Sequence, residues 1–183
     1  MTFTVCFHGA ESTGKSVLAE RLSRELGIPW VPEYGRTYAE RHGTDFTMED
    51  LLAIAAGQAE ATSAALAAQP PLLILDTDQL MTAAWAEMLF SEVPAALLAY
   101  PKADLYLHFA ADVPWVADGT RFFGTPEERR RFADLAQEHL IHAGVRWLPV
   151  TGTWEDRART VGNILRRGPL EPGPGSWSTL AGS

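Results

Sequence analysis

Hydrophobic positions along the chain fall into two kinds of segment that alternate. Short runs rich in branched and aromatic residues, which are typical of buried strands, occur at residues 2–7, 72–75, 104–109 and 146–150. Between them, apolar residues recur with helical spacing, as they do in residues 81–89. Strands that alternate with helices indicate a parallel sheet, so we predict an α/β fold.

Particular residues mark where the helices begin and end. Residues 125–128, TPEE, place a hydroxyl at the N-cap, proline at the first helical position and glutamate at the third. Residues 47–50, TMED, follow the same pattern less completely, and the alanine-rich helix after them should end before Pro70 and Pro71. Beyond Arg167 the chain is rich in proline, glycine and serine. We predict one domain over residues 1–167 and a flexible tail over residues 168–183.

Composition narrows the class of protein. The chain has 183 residues, of which 46% are hydrophobic, and its net charge of −8 argues against a nucleic-acid partner. Cys6 is the single cysteine, which excludes an intramolecular disulfide and favours a reducing compartment. There is no signal-peptide pattern and no apolar run of the roughly 20 residues that span a bilayer. We expect a cytoplasmic protein that does not contact membranes.

The strongest chemical signal lies directly after the first predicted strand. Residues 9–16, GAESTGKS, match the phosphate-binding pattern G-x-x-x-x-G-K-[ST] at every fixed position. In such a loop the backbone amides surround phosphate, Lys15 supplies a cation near the β- and γ-phosphates, and Ser16 offers its hydroxyl to Mg²⁺. A chance glycine turn is the alternative, but a strand before the motif and a helix after it favour nucleotide binding.

Acidic residues follow two other strands, where ligands of open α/β sheets bind. Asp76 ends an apolar strand and is a candidate metal-side carboxylate, whereas Asp78 fits better as the N-cap of the helix at Gln79. Glu33 follows a short strand at Trp30 and could accept a proton from a substrate hydroxyl. Its alternative roles are a helix cap or an ion pair with Arg36.

A long glycine-containing connection, residues 114–124, is the candidate lid. It carries Arg121, which could stabilise charge on a transferring phosphoryl group, and is followed by three consecutive arginines, Arg129 to Arg131. Arginines in succession point to different faces of a helix, so we expect only one of the three to face the nucleotide and the others to be solvated.

These motifs together resemble the NadR-type ribosylnicotinamide kinase domain. The resemblance spans about residues 2–167 and rests on residues 9–16, Glu33-Tyr34-Gly35-Arg36, Asp76-Thr77-Asp78 with Thr82, Trp115-Val116, Asp118-Gly119, Arg121 and Arg129. It implies a three-layer P-loop NTPase fold with a five-stranded parallel sheet, helices on both faces and a short lid. It also implies ATP-dependent phosphorylation of nicotinamide riboside to nicotinamide mononucleotide, with Mg²⁺.

The resemblance implies a role for each matching residue. The implied nucleotide contacts are Gly9, Glu11, Ser12, Thr13, Gly14, Lys15, Ser16, Val17, Arg129, Thr151, Gly152 and Arg157. The implied contacts of the nucleoside-like acceptor are Trp30, Glu33, Tyr34, Arg36, Asp76, Asp78 and Asp118. The implied catalytic residues are Lys15, Glu33, Asp76 and Arg121, with Ser16 and Asp76 at the metal.

Two features depart from the family pattern. A chain of 183 residues has no room for the adenylyltransferase domain that often accompanies such kinases, so we expect a stand-alone kinase. The family places an aromatic residue before the Glu-Tyr-Gly-Arg segment and another on the next helix to stack the nicotinamide ring. Here Pro32 precedes Glu33 and residues 47–69 contain no aromatic, so Trp30 is the candidate substitute, and Trp85 is expected to pack in the core.

The leading hypothesis is therefore a small-molecule kinase for a ribosyl hydroxyl. The alternatives are a kinase for another nucleoside-like acceptor and a nucleotide-dependent regulatory NTPase or binding switch. A guanine-reading Asn-Lys-x-Asp segment is absent, which counts against a small-GTPase type. The acceptor, the choice between ATP and GTP, and the oligomeric state are left open.

Overall fold

A computed structural model describes residues 1–112 and 125–168 of the chain. It contains five strands, β1 (Phe3–His8), β2 (Trp30–Val31), β3 (Leu72–Asp76), β4 (Leu105–Phe109) and β5 (Trp147–Val150). Its helices are α1 (Lys15–Leu26), α2 (Tyr34–His42), α3 (Met48–Ala67), α4 (Gln79–Phe90), α5 (Ala95–Leu98), α6 (Pro126–His142) and α7 (Trp154–Arg167). The predicted strands are all present, with ends that shift by one residue. The predicted lid and all but Gly168 of the predicted tail lie outside the described residues.

All five strands are parallel, in the order β2-β3-β1-β4-β5. The predicted five-stranded parallel sheet is confirmed. Because β1 is central and its neighbours are β3 and β4, the chain reverses its direction of winding on either side of β1. This is the switch point at which open α/β sheets bind ligands, beyond the carboxyl ends of the strands. The loops after β1, β2 and β3 open there.

The sheet is covered on both faces, which makes the architecture three-layered. On one face, α1 and α7 pack against β1 and β4 in a buried cluster that includes Leu18, Leu107 and Val161. On the other face, α3, α4 and α6 cover a cluster that includes Cys6 and Leu73. Burial on both sides explains why these strands are apolar runs with no alternation of polar residues.

The two predicted helix starts are confirmed, and both form complete capping boxes. Thr125 and Thr47 each accept a hydrogen bond from the backbone N–H three residues on, and the acidic residue there bonds back to the cap. Thr153 forms a third such capping box at the start of α7. Each box satisfies backbone donors that a helix end otherwise leaves unpaired. None of the helices in residues 1–112 and 125–168 is long and apolar enough to cross a membrane.

Candidate active site

The phosphate-binding loop connects β1 to α1 at the switch point of the sheet. Gly9 has a φ of 131°, and a Cβ there would lie 2.5 Å from the carbonyl oxygen of Phe109, so no larger residue fits. Gly14 has a φ of 86°, and its Cβ would meet the ring of Trp154 at 2.8 Å. The loop is therefore held between the end of β4 and the start of α7, with its amides at the N-terminus of α1.

Lys15 lies inside this loop and is buried, with 8% of its surface exposed. Its Nζ donates to the carbonyl oxygen of Ala10 at 2.7 Å and contacts the hydroxyl of Thr13 at 3.4 Å. Burial lowers the pKa of Lys15, while Glu33 and Asp76 act in the opposite direction. A cation in so enclosed a position has a strong field, which suits it to a phosphate group.

Asp76 ends β3 and faces the loop. Its carboxylate accepts hydrogen bonds from the hydroxyl of Ser16 and from the backbone N–H of Glu33, and burial raises its pKa. Its Oδ1 atom is buried and has no hydrogen-bond partner among the described residues. A carboxylate oxygen without a donor beside a serine hydroxyl fits Mg²⁺, which binds through one or two protein ligands and the phosphates of its nucleotide. Ser16 and Asp76 are the residues that could hold this ion.

Thr77 separates Asp76 from Asp78 and gives the two acids different surroundings. Its φ of 69° is left-handed, a conformation that is strained for a β-branched residue. Asp78 then caps α4, accepting from the backbone N–H of Leu80 at 3.0 Å, and its other oxygen accepts from the hydroxyl of Tyr106. Asp78 lines the cleft. One of its oxygens makes the predicted helix cap, and the other is bonded to Tyr106.

Glu33 lies at the end of β2 and lines the same cleft as Lys15. It occupies the N-cap position of α2 but makes no side-chain capping bond, so the alternative role as a helix cap is not formed. Glu33 is half-buried in the cleft. This burial, and next the charge of Asp76, raise the pKa of Glu33 to about 7, while Lys15 and Arg36 act against the shift. A carboxyl group with such a pKa can take up or release a proton at neutral pH.

The other residues implied for the acceptor do not all lie in the cleft. Arg36 lines the cleft. Tyr34 is not among the lining residues: its ring lies against the backbone of Gly57, and its N–H donates to Gln58. Trp30 packs beside the core layer of α1 and α7, which does not bring it to the cleft. Asp118 and Arg121 lie outside the described residues.

The residues implied for the nucleotide outside the phosphate loop have different positions. Thr151 and Gly152 are exposed after β5, and Arg129 lies in the first turn of α6. Arg157 is 1% exposed and does not line the cleft. Its guanidinium donates to the carbonyl oxygens of Gly152, Thr13 and Ala110 and to the carboxylate of Asp112. Since those acceptors all belong to the protein, Arg157 braces the loop instead of presenting donors to a ligand.

The cleft continues beyond the phosphate loop into an apolar compartment that the sequence pattern did not reveal. The remaining predicted nucleotide contacts, Glu11, Ser12 and Val17, line the phosphate end. The apolar end is lined by Ala39, Phe46, Leu51, Ile54, Met81, Trp85 and Phe132. Trp85 packs against the core as expected, but it also lines the cleft, with its ring 4.8 Å from the ring of Phe132.

Comparison with known proteins agrees with this geometry. A family model described as an AAA domain, AAA_28, matches residues 4–157. The chain belongs to this family. Over 154 residues it is 31% identical to the trifunctional NAD biosynthesis/regulator protein NadR of Escherichia coli, and equally so to that of Salmonella typhimurium. The match covers 80% of this chain and 38% of each relative, so the chain spans well under half the length of those proteins.

Solved structures share the fold of the chain. A NadR protein in complex with NR superposes with a TM-score of 0.71 and 21% identity, covering 96% of this chain and 54% of that one. The deoxyadenosine kinase of M. mycoides superposes with a TM-score of 0.64 and 12% identity, covering 90% of this chain and 100% of that one. At these identities the likeness shows the fold alone, a three-layer α/β domain around a parallel sheet.

Proposed function

We propose that the chain is an ATP-dependent kinase that phosphorylates a ribosyl hydroxyl of nicotinamide riboside. The observation that carries the proposal is the arrangement of the cleft. Lys15 and the loop amides lie at one end with Glu33 beside them, and an aromatic and aliphatic compartment continues from there. Asp76 is close enough to both charged groups to shift their pKa values. A phosphate donor and a planar nucleoside can therefore meet at the carboxylate of Glu33.

The chain's residues divide the work of phosphoryl transfer. The acceptor oxygen forms a bond to the γ-phosphorus as the bond from that phosphorus to the bridging oxygen breaks, and ADP leaves with the electron pair. Glu33 takes the proton of the acceptor hydroxyl, for which its pKa of about 7 suits it. Lys15 stabilises negative charge on the phosphates. Mg²⁺ held by Ser16 and Asp76 would neutralise phosphate charge.

The acceptor is proposed from two independent supports. One is the 31% identity to NadR proteins named for NAD biosynthesis, together with the fold shared with a NadR protein that was solved in complex with NR. The other is the wall formed by Phe46, Trp85 and Phe132, because flat apolar side chains pack favourably against a heteroaromatic ring.

The proposal is tested by measuring ADP release from ATP and Mg²⁺ with a panel of nucleosides that includes nicotinamide riboside. We expect nicotinamide riboside to stimulate turnover most strongly and to be converted into a monophosphate, identified by mass. Stimulation by another nucleoside alone would keep a kinase and change its acceptor. Hydrolysis of ATP that no nucleoside accelerates would instead support the regulatory NTPase.

A further inference from the structure

Gln58 has an unusual position in α3. It is buried, with 3% of its surface exposed, and it lines the cleft. Its Oε1 accepts a hydrogen bond of 2.7 Å from the backbone N–H of Tyr34, the residue that follows Glu33. The side chain therefore lies beside the backbone at the start of α2, one residue after Glu33, and both residues line the cleft.

The hydrogen bond to Tyr34 fixes the orientation of the Gln58 amide. A backbone N–H can only donate, so the group opposite it must be the amide oxygen of Gln58 and not its nitrogen. The Nε2 group is directed elsewhere, is buried and has no partner among the described residues. A buried donor without an acceptor is unfavourable, so a ligand atom that accepts from it gains affinity.

The surroundings define the kind of ligand atom. Ile54 and Leu51, on the same helix as Gln58, form part of the apolar end of the cleft. Ile54 also faces Gly35 of α2, where a Cβ would lie 3.4 Å from its side chain. An acceptor atom that reaches Gln58 in this compartment belongs to a planar, mostly apolar group with an oxygen at its edge.

We propose that Gln58 determines acceptor specificity by donating from Nε2 to an exocyclic carbonyl oxygen on the heterocycle of the nucleoside. This inference rests on the proposed function, because it takes the apolar compartment as the site of the acceptor's ring. A heterocycle without such an oxygen leaves the amide unsatisfied and binds about tenfold more weakly.

The test compares affinities within two pairs of nucleosides, in each of which one member carries a carbonyl-containing group that the other lacks. Nicotinamide riboside is paired with the pyridine riboside that lacks the carboxamide, and inosine is paired with purine riboside. Calorimetry measures the four affinities for the wild type, Gln58→Glu and Gln58→Met at about pH 8. We expect the wild type to favour the carbonyl compound about tenfold in at least one pair, and both variants to lose that preference.

Gln79→Glu is the matched control. Gln79, like Gln58, is a buried glutamine. Its Nε2 donates to the backbone carbonyl oxygen of Ala55 at 3.0 Å, and the residue does not line the cleft. This variant should lose stability and keep the ratio of affinities within each pair.

The outcomes separate the two proposals. If Gln58→Glu and Gln58→Met leave the ratio of affinities within each pair unchanged, the proposed role of Gln58 is overturned, whether or not nicotinamide riboside is phosphorylated. A preference for inosine that both variants abolish, without binding of nicotinamide riboside, supports Gln58 and overturns the proposed acceptor. If no member of either pair binds, both proposals fail.

Discussion

At the residue scale, three acids at the ends of neighbouring strands differ because their partners differ. Asp78 is satisfied by a helix N-terminus and by Tyr106. Asp76 is bonded by Ser16 and keeps one oxygen without a donor among the described residues. Glu33 lacks a capping bond, and its pKa is raised to about 7. Of the three, Glu33 combines cleft access with a pKa near neutrality, which makes it the preferred base.

Glu33→Gln tests that role. The amide keeps the size of the side chain but cannot accept the acceptor's proton, so turnover should fall by roughly 10²–10⁴ while ATP affinity stays near normal. Steady-state kinetics and nucleotide binding on this variant measure the two effects separately. A loss of turnover under about tenfold would remove Glu33 from the catalytic residues, leaving Asp78 as the next candidate.

The pH dependence of the wild type gives a second test of Glu33. The base is active when ionised, and its pKa is raised to about 7. Acceptor-dependent turnover should therefore fall as pH decreases through about 7 and level off above it. The profile of kcat/KM, which reports the pKa of the base in the free enzyme, is measured between about pH 5.5 and 9. A profile without an inflection in this range would contradict the assignment.

Lys15 carries a charge that we expect phosphoryl transfer to need, although burial disfavours the charged form. Lys15→Met removes the cation and keeps an apolar stem, so phosphoryl transfer should fall at least about 10²-fold. Because burial lowers the pKa of Lys15, its charge contributes little to folding, and the free energy of unfolding should change by less than about 1 kcal/mol. Urea unfolding and ATP turnover measure both. Turnover at the wild-type rate would exclude the loop from the mechanism.

At the element scale, Arg157 ties three loops to the buried side of α7. The brace joins the phosphate loop at Thr13 to the ends of β4 and β5, which are adjacent in the sheet. Arg157 and Thr13 are 144 residues apart in the chain. The position of the phosphate-binding amides thus depends on a residue from the far end of the domain.

Arg157→Met should lower the free energy of unfolding by about 2–4 kcal/mol, because it leaves the buried carbonyl oxygen of Thr13 without this donor and removes the donors to two part-buried carbonyl oxygens and the cation beside Asp112. It should also weaken ATP binding by displacing the loop. The matched control is Arg159→Met on the same helix, whose side chain is 67% exposed and pairs with Asp156; it should cost under about 0.5 kcal/mol. Equal effects of the two variants in denaturant unfolding would rule out the brace.

At the scale of the whole molecule, the cleft has two ends built from different elements. The phosphate end comes from the loop between β1 and α1, and the apolar end comes from α2, α3, α4, α6 and the segment before α3. Ligands of the two ends should therefore protect different parts of the chain.

Hydrogen exchange with single ligands tests this division. ADP should slow exchange in residues 9–17 and in residues 151–157, where adenine contact is predicted, whereas nicotinamide riboside should slow exchange in α3 and α4. Binding at about 100 times Kd stabilises the folded state by about 2.7 kcal/mol, enough to be measured. Lack of ADP protection in residues 151–157 would remove the adenine assignment.

The sequence by itself determined the features that are local along the chain. The phosphate loop, the capping boxes and the strand runs depend on neighbouring residues, because backbone conformation and helix ends respond to residues within a few positions. The alternation of strands and helices then leads to a parallel sheet with few possible topologies. For the same reason Asp76 could be placed at the end of a strand facing the loop.

Only the tertiary structure determined which side chains line the cleft, how they are held and how their pKa values are shifted. Phe46, Trp85 and Phe132 come from separate parts of the chain, and the helical spacing of Trp85 and Phe132 is the same whether a side chain faces the core or a cavity at its edge. The brace by Arg157 and the amide orientation of Gln58 depend on backbone groups far away in sequence. The pKa of Glu33 likewise follows from burial and from nearby charges, which exist only once the strands have been brought together.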